Sequence, residues 1–422
     1  MREYASVQDT PADGPVAAPG GFYRRKMHAS LAALEGCELT VVEGDASRVF
    51  GKPLAGEEPI RATITVRDAD MYRAMALNGS VGAAEAYMAG EWECSDLTAL
   101  VRMFVRNRDL LDRLEGGLAR IGGALLRAWH SRRRNSRGGS RRNIAEHYDL
   151  GNDLFGLFLD ESMMYSSAIF RDAGETLEVA QWRKLDRICR KLALSPSDHL
   201  VEIGTGWGGM ALHAAKHHGC RVTTTTISKE QHALAVERIA AAGLSDRVTV
   251  LLEDYRDLTG RYDKLVSIEM IEAVGHRFLP DYLRICSERL RPAGRALIQG
   301  IIIADRHYAQ ARRSVDFIQR YIFPGGALPS LGAILAGIAR ATDLQLTGLH
   351  DIGEDYARTL ALWRERFLAR VQDVRLLGYP DEFIRMWEWY LAYCEGGFRE
   401  RTISTVQLVF DKPDCRLGVL RP

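Results

Sequence analysis

The feature that most constrains the fold is the stretch VEIGTGWGG from Val201 to Gly209, in which an apolar segment ends in a glycine-rich turn before a helical pattern begins. Because Gly204 and Gly206 have no side chains, backbone amides can approach a ligand closely at the positive end of the following helix. Further apolar strand candidates alternate with helical segments downstream, in CRVTTTTIS, DRVTVLLEDY, YDKLVSIEMIE and GRALIQGIII. This alternation predicts an α/β fold with a doubly wound, mostly parallel sheet of the Rossmann type.

The residues around the glycine turn indicate which ligand it would bind. A dinucleotide site would need an acid after the second strand to hold a ribose, but that strand ends in TIS (226–228). Glu202 stands before the first glycine, and an acid there suits S-adenosylmethionine (SAM), whose ammonium and sulfonium groups are cationic. We therefore predict a SAM site, with Asp254 and Tyr255 meeting the adenine at the end of the third strand. A nucleotide site or a purely structural turn is the alternative.

Composition and local patterns divide the 422 residues into segments. The start is rich in Pro, Gly, Ala and Asp, and two alternating stretches, ELTVV and RATITV, precede a long helical pattern. The predicted segments are a disordered tail (1–22), a small N-terminal α+β domain (23–125), a basic linker (126–142) and the doubly wound domain (143–422), with a mainly helical lid over the carboxyl edge of its sheet at about 304–370.

Charge and cysteine usage bear on partners and location. Lysine plus arginine (56) nearly equals aspartate plus glutamate (55), so no overall field favours nucleic acid or a membrane. SRRRNSRGGSRR (131–142) is a local positive patch, either a solvated linker or an attraction to anionic lipid headgroups at about 1 kcal/mol per cation. The seven cysteines form no C-x-x-C pair, the start has no secretory signal, and no run of about 18 apolar residues occurs. These features predict a cytosolic chain without a metal site.

Many ordered motifs carry a resemblance to one enzyme family. NIAEHYDLGNDLF (143–155) and MYSSA (164–168) precede the glycine turn, and TISKEQ, DYRDL, SIEMIEAVG, RYIFPGG, GEDY, LWRERF and GGFR follow it. Together they resemble the cyclopropane fatty acid synthases, including the mycolic-acid-modifying enzymes. The upstream pattern GxxGxxEAYMxGxWEC (79–94) resembles the long, two-domain bacterial members.

The resemblance implies a SAM-dependent C-methyltransferase acting on the double bond of unsaturated phospholipid acyl chains. It implies cyclopropane formation, with a mid-chain methyl or methylene branch as the alternative product. It also implies that the N-terminal domain assists approach to an anionic membrane surface and formation of a homodimer. A small-molecule methyltransferase and a non-enzymatic lipid-binding module are the other hypotheses.

The resemblance also implies site residues. The SAM contacts, together with Glu202, would be Tyr165, Ser166, Gly204, Gly206, Thr226, Ile227, Gln231, Asp254 and Tyr255. In the family, the alkene attacks the sulfonium methyl and a bound bicarbonate then removes a proton from the new methyl, which closes the ring. The bicarbonate pocket would map onto Glu272, Tyr356 and the backbone amide of Ile301, with Ser167 and Gln299 where the family has cysteine and histidine.

The two departures from the family pattern affect the expected product. Glutamine cannot shuttle a proton as histidine can, so Gln299 either holds the bicarbonate or leaves the cation to resolve by a hydride shift and a methylene branch. Glu272 has an alternative role as a helix cap. Glu269, three residues earlier, has no role assigned by the sequence.

Overall fold

The computed structural model describes residues 21–108 and 150–418. Nearly all of the predicted tail, the whole basic linker and the start of the NIAEHYDLGNDLF motif (143–149) lie outside these ranges. Within them, no helix combines the length and apolar character needed to cross a bilayer.

The N-terminal region forms a four-stranded sheet with helices against it. Its elements are α1 (Gly21–Leu31), β1 (Cys37–Glu43), β2 (Ala46–Phe50), β3 (Ile60–Val66), α2 (Asp70–Met88), β4 (Trp92–Cys94) and α3 (Leu97–Arg106). The strand order is β2-β1-β3-β4, with only the β1–β3 pair parallel. The two strands expected from alternation are β1 and β3. The other two have weak patterns, because β2 is exposed along most of its length and β4 has three residues.

The doubly wound region follows the predicted strand–helix alternation. Its first part comprises α4 (Asn152–Gly156), α5 (Leu177–Leu192), β5 (His199–Ile203), α6 (Gly209–His218), β6 (Arg221–Thr226), α7 (Lys229–Ala241), β7 (Val248–Leu252), β8 (Tyr262–Ile268), α8 (Leu279–Glu288) and β9 (Leu290–Ile303). Strands β5 to β9 pair in parallel. Several are nearly continuous runs of buried residues, as expected for strands covered by helices on both faces.

The remainder of the chain adds two strands to the sheet and further helices. It contains α9 (Asp305–Ala311), a π-helical turn (Ile318–Ile322), α10 (Leu331–Ala341), β10 (Gln345–Asp351), α11 (Gly353–Ala369), α12 (Val371–Leu376), α13 (Asp381–Arg399) and β11 (Ile403–Asp411). The sheet order is β10-β11-β9-β8-β5-β6-β7, with β10 and β11 antiparallel to their neighbours. These elements confirm the predicted α/β class.

The structure differs from the expected helical lid at 345–351. This segment is β10, an edge strand paired with β11. It lacks a continuous apolar run because most of its residues are exposed or half-buried, so its sequence gives little sign of a strand.

The N-terminal region packs directly on the helices of the doubly wound region. Helix α13 contacts both α2 and α3. At this contact, buried Glu395 accepts hydrogen bonds from Thr98 Oγ1 at 2.9 Å and from Arg364 Nη2 at 3.0 Å. One hydrophobic core therefore spans both regions, which lets them share the walls of a cavity.

Candidate active site

The glycine turn follows β5 in a conformation that glycine favours. Gly204 has a φ of +100° and Gly206 a φ of +51°, both in the region that side chains disfavour. The amides of Gly204 and Thr205 each donate to the Thr225 carbonyl of β6 at 3.1 Å. The first turn of α6 is tightly packed, since a Cβ on Gly209 would lie 2.5 Å from the Ser162 carbonyl oxygen.

Glu202, at the penultimate position of β5, is enclosed and incompletely bonded. It is 2% exposed, lines the cavity described below, and its Oε2 has no hydrogen-bond partner among the described residues. Burial raises its pKa to about 8, against the opposing effects of Thr224 and the Lys184 ammonium. Since a buried acid oxygen without a partner is costly, this oxygen fits a cationic ligand group such as those of SAM.

The other predicted SAM contacts surround the same space. Thr226 Oγ1 donates to Gln231 Oε1 at 3.0 Å, and Ser228 caps α7 by accepting from the Gln231 amide at 3.2 Å. The Asp254 carboxylate accepts from the Arg256 guanidinium at 2.6 and 2.7 Å. The predicted contacts that line the cavity are Tyr165, Ser166, Glu202, Gly204, Gly206, Thr226, Ile227, Gln231, Asp254 and Tyr255.

A buried lysine lies behind the predicted SAM contacts. Lys184 Nζ donates to Ser166 Oγ at 2.8 Å, and Lys184 is 0% exposed. Burial lowers its pKa to about 8, whereas the nearby acids Glu269, Asp160 and Glu202 act in the opposite direction. The sequence gives little sign of this role, because a lysine in the amphipathic helix α5 reads as a solvated charge.

The carboxylate of Glu269 is the centre of a hydrogen-bond network. Its Oε1 accepts from the Ser167 amide at 3.0 Å and from Gln299 Nε2 at 2.9 Å. Its Oε2 accepts from the Tyr356 hydroxyl at 2.6 Å. Burial raises the pKa of Glu269, and these three donors act in the opposite direction. The residue that the sequence left without a role is thus the one that Ser167, Gln299 and Tyr356 contact.

Glu272 lies beside Glu269 but is bonded differently. Its Oε1 accepts from the Ile301 amide, and its Oε2 has no partner among the described residues. Burial raises its pKa to about 8, and the charge of Glu269 adds to that effect. Glu272 therefore holds a proton near neutral pH.

Ser167 and Gln299 are fully buried behind the cavity wall. The Ser167 hydroxyl donates to the Ala168 carbonyl at 2.9 Å. Gln299 Oε1 accepts from Gln407 Nε2 at 2.9 Å, and Gln407 Oε1 accepts from Lys191 Nζ at 2.7 Å. This chain fixes the Gln299 amide so that its nitrogen points to Glu269.

The expected bicarbonate pocket does not fit a free anion in this arrangement. Each predicted donor has an acceptor of the protein, since Tyr356, Gln299 and the Ser167 amide bond Glu269 and the Ile301 amide bonds Glu272. A second anion would have to displace these bonds beside an existing carboxylate.

One cavity of about 710 Å³ connects these groups, a volume typical of small-molecule and cofactor sites. It runs from the glycine turn past Glu269 and Glu272 into the N-terminal region. Its apolar walls there include Met27, Leu31, Met71, Met75 and Phe104.

A separate cluster lies outside this cavity. Cys189, His213 and His218 bring one potential metal-ligand atom each within 4.8 Å of one another. The prediction that the chain has no metal site therefore stays a prediction.

The fold and the comparisons with known proteins define the class of this chain as a methyltransferase. Residues 135–408 match the family described as mycolic acid cyclopropane synthetase. The chain therefore belongs to that family.

Individual relatives agree with this assignment. The tuberculostearic acid methyltransferase of Mycobacterium tuberculosis is 38% identical over 403 residues, covering 93% of this chain and 92% of the relative. The cyclopropane-fatty-acyl-phospholipid synthase of Escherichia coli K12 is 38% identical over 366 residues, covering 86% and 90%. A mycolic acid cyclopropane synthase solved with SAH and CTAB has a TM-score of 0.60 at 28% identity, covering 64% of this chain and 98% of its own.

Proposed function

We propose that this chain transfers the methyl group of SAM to the double bond of an unsaturated acyl chain in a membrane phospholipid. The observation that carries the proposal is the single cavity of about 710 Å³, which extends from the glycine turn to the apolar walls of the N-terminal region. Relatives that cover nearly the whole chain are named for fatty acids or fatty-acyl phospholipids. A small-molecule methyltransferase would need a polar substrate pocket, and the walls beyond the acids are mostly apolar.

The residues would divide the work of binding as follows. The side-chain-free surface of the glycine turn and the Glu202 carboxylate would hold the polar end of SAM, and the residues after β6 and β7 would hold its nucleoside. When bound, SAM would supply an electrophilic sulfonium methyl: the π electrons of the alkene would form the new C–C bond, the S–CH3 bond would break with its electrons left on sulfur in S-adenosylhomocysteine, and the positive charge would pass to the acyl chain as a carbocation. The apolar walls exclude water from that cation and align the alkene, and alignment contributes several kcal/mol to such reactions.

Aromatic faces can stabilise the cation without reacting with it. Tyr165 lies in the cavity wall, its hydroxyl 2.7 Å from that of Tyr390 and its ring centroid 5.3 Å from that of Trp363. A desolvated cation over an aromatic face gains about 2 kcal/mol.

Two products are consistent with this chemistry. Loss of a proton from the new methyl closes a cyclopropane, whereas a hydride shift followed by proton loss gives a methylene branch. The second product is supported by Gln299 and Ser167 at the positions of the family's histidine and cysteine. It is also supported by the relative named as a tuberculostearic acid methyltransferase. Mild hydrogenation of the extracted lipid distinguishes them, because it reduces a methylene branch and leaves the ring.

The experiment that tests the function uses SAM with an isotopically labelled methyl group and phospholipid vesicles. We expect label in the acyl chains of monounsaturated phospholipid and none with the fully saturated phospholipid of the same headgroup. Label in the headgroup, or equal label with both lipids, would contradict a reaction at the double bond. A chain that binds SAM but labels no lipid would point to a lipid-binding module.

We also propose that the enzyme is cytoplasmic, forms a homodimer and acts at an anionic membrane surface. The basic segment 131–142, which lies outside the described residues, supports surface attraction by its charge. Replacing its six arginines by glutamine should weaken binding to anionic vesicles, and the loss should shrink as salt rises because salt screens exposed charges. Unchanged binding at low salt would show that the segment is only a linker.

A further inference from the structure

We propose that Glu269 is the base that removes the proton after methyl transfer, and that its side-chain carboxylate occupies the position of a bound bicarbonate. The inference rests on the proposed function, because it concerns the step that follows attack by the alkene. It assigns a catalytic role to a residue for which the sequence gave none.

The first support is the convergence of donors on one carboxylate. Two hydrogen bonds reach Oε1, from the Ser167 amide and Gln299, and one reaches Oε2, from Tyr356. The resemblance to the family implies that these same three positions contact bicarbonate. A carboxylate has the planar O–C–O unit of bicarbonate, so Glu269 satisfies the same donors from within the protein.

The second support is the position of Glu269 at the cavity wall. Tyr356 and the neighbouring Glu272 line the same cavity. Each carboxylate oxygen offers two acceptor directions, and Oε2 uses one of them for Tyr356. The other remains for a proton from a substrate in the cavity.

The third support is the backbone of Glu269, which has a φ of +48°. Side chains rarely adopt this region, where glycine is favoured. Glu269 is held there by its amide, which donates to the Gln299 carbonyl at 2.8 Å, and by the three bonds to its carboxylate. Non-glycine residues in strained conformations cluster at functional sites.

Electrostatics separate the two neighbouring acids. Glu272, whose pKa burial raises to about 8, holds a proton near neutral pH. Three donors favour the ionised form of Glu269, while burial keeps its pKa above the usual range. A base with a raised pKa is suited to accept a proton near neutral pH. When two neighbouring acids have different environments, one can stay protonated while the other acts as the base; here these would be Glu272 and Glu269.

The step balances without another reactant. After attack, the acyl chain carries one positive charge. A C–H bond of the new methyl breaks, its electron pair forms the third bond of the ring, and the proton moves to Glu269 Oε2. For a methylene branch, a hydride first moves to the adjacent cation, and the same kind of C–H electron pair becomes a double bond. In both cases Glu269 ends neutral and later returns the proton to solvent.

The test compares the wild-type protein with Glu269→Gln and Glu269→Gly in buffer freed of carbon dioxide. We expect wild-type activity to be independent of added bicarbonate, and Glu269→Gln to lose about 10²-fold or more in product formation. SAM affinity, measured by calorimetry, should stay within about two-fold and shows that both variants fold. Glu354→Gln, which changes an exposed acid on α11, is the matched control.

The Glu269→Gly variant distinguishes a role as the base from a purely structural role, because only the first predicts that bicarbonate restores activity. Glycine suits the positive φ, and its introduction leaves the Ser167 amide, Gln299 and Tyr356 without their acceptor. We expect this variant to bind carbon-13 bicarbonate, seen as broadening of its NMR signal, and to regain activity as bicarbonate is added. The wild-type protein should cause no broadening.

Three outcomes would overturn the inference: bicarbonate binding to the wild type, bicarbonate-dependent wild-type activity, or full activity of Glu269→Gln. Failure of the proposed function is distinguishable, because the wild-type protein would then label no lipid under any condition. In that case the base role falls too, whereas the NMR result still decides whether Glu269 occupies the anion position.

Discussion

Glu202, Glu269 and Glu272 lie along the same cavity, but their hydrogen bonds differ. Glu202 and Glu272 each keep one oxygen without a partner among the described residues, whereas both oxygens of Glu269 are bonded. The sequence predicted a role for Glu202 from its place before the glycines and for Glu272 from the family pattern, and both stay predictions. It predicted no role for Glu269, because neither a backbone φ nor the donors from three distant segments can be read from SIEMIE.

At the residue scale, we predict that Glu202 releases a proton when SAM binds. Burial raises the pKa of Glu202 to about 8, so the free protein holds a proton there near neutral pH. A cationic ligand lowers that pKa, so binding should release a proton and strengthen as the pH rises toward about 8. Calorimetry in buffers of different ionisation enthalpy measures the release. Glu202→Gln should abolish it and weaken SAM binding about ten-fold; an unchanged release would exclude Glu202.

A second residue-scale prediction concerns stability. The pKa of Glu272 is raised from 4.5 to about 8 in the folded protein. Its contribution to the free energy of unfolding is therefore fully present below the unfolded pKa of 4.5 and is lost as the pH rises to the folded pKa of about 8. Glu272→Gln should therefore gain stability over the wild type across this range, by about 1.4 kcal/mol per unit at most and a few kcal/mol in total. Urea unfolding at several pH values measures the difference. A constant difference at every pH would contradict the raised pKa.

At the element scale, the strand–turn–helix unit β5–α6 was predictable and the edges of the sheets were not. Strands that are buried on both faces of a parallel sheet have long apolar runs, so they can be predicted from the sequence. β2, β4 and β10 are exposed, short or half-buried, and their positions depend on partner strands. The segment before α5 is likewise fixed by packing, since Ser162 and Met164 contact the first turn of α6.

The close packing at the first turn of α6 predicts that adding one methyl group at Gly209 lowers the free energy of unfolding. In Gly209→Ala, the new Cβ would lie 2.5 Å from the Ser162 carbonyl oxygen and 2.8 Å from Met164 Sδ. We expect a loss of about 1–3 kcal/mol in the free energy of unfolding, with weaker SAM binding because α6 must shift. Gly156→Ala is the matched control, since nothing lies within 4 Å of its added Cβ. Equal unfolding temperatures for the two variants would contradict this close contact.

At the scale of the whole molecule, the N-terminal region and the doubly wound region form one cavity. Hydrogen bonds cross between them, from Tyr321 to Glu85 at 2.6 Å and from Tyr87 to Glu388 at 2.8 Å. The sequence predicted a small N-terminal α+β domain, and the four-stranded sheet there confirms that class. It did not predict that this region shares a cavity with the doubly wound region. Docking depends on side chains far apart in the chain, so no local pattern encodes it.

The shared cavity predicts that the N-terminal region sets acyl-chain length. Met75→Trp places a larger side chain in the apolar chamber, and we expect lower activity on long acyl chains than on short ones with unchanged SAM affinity. Val49→Trp, on an exposed position of β2, is the control. Product formation from phospholipids of graded chain length measures the effect. An unaltered chain-length profile for Met75→Trp would show that the acyl chain does not reach this chamber.

The most direct test of the account asks where the acyl chain binds. A phospholipid with a photoreactive group at mid-chain should, on irradiation, form adducts with cavity-wall residues such as Tyr165, Phe323 and Met71. An unsaturated phospholipid should compete for these positions. Adducts confined to the outer surface, or unaffected by the competitor, would contradict the claim that the double bond lies inside the cavity beside the SAM site.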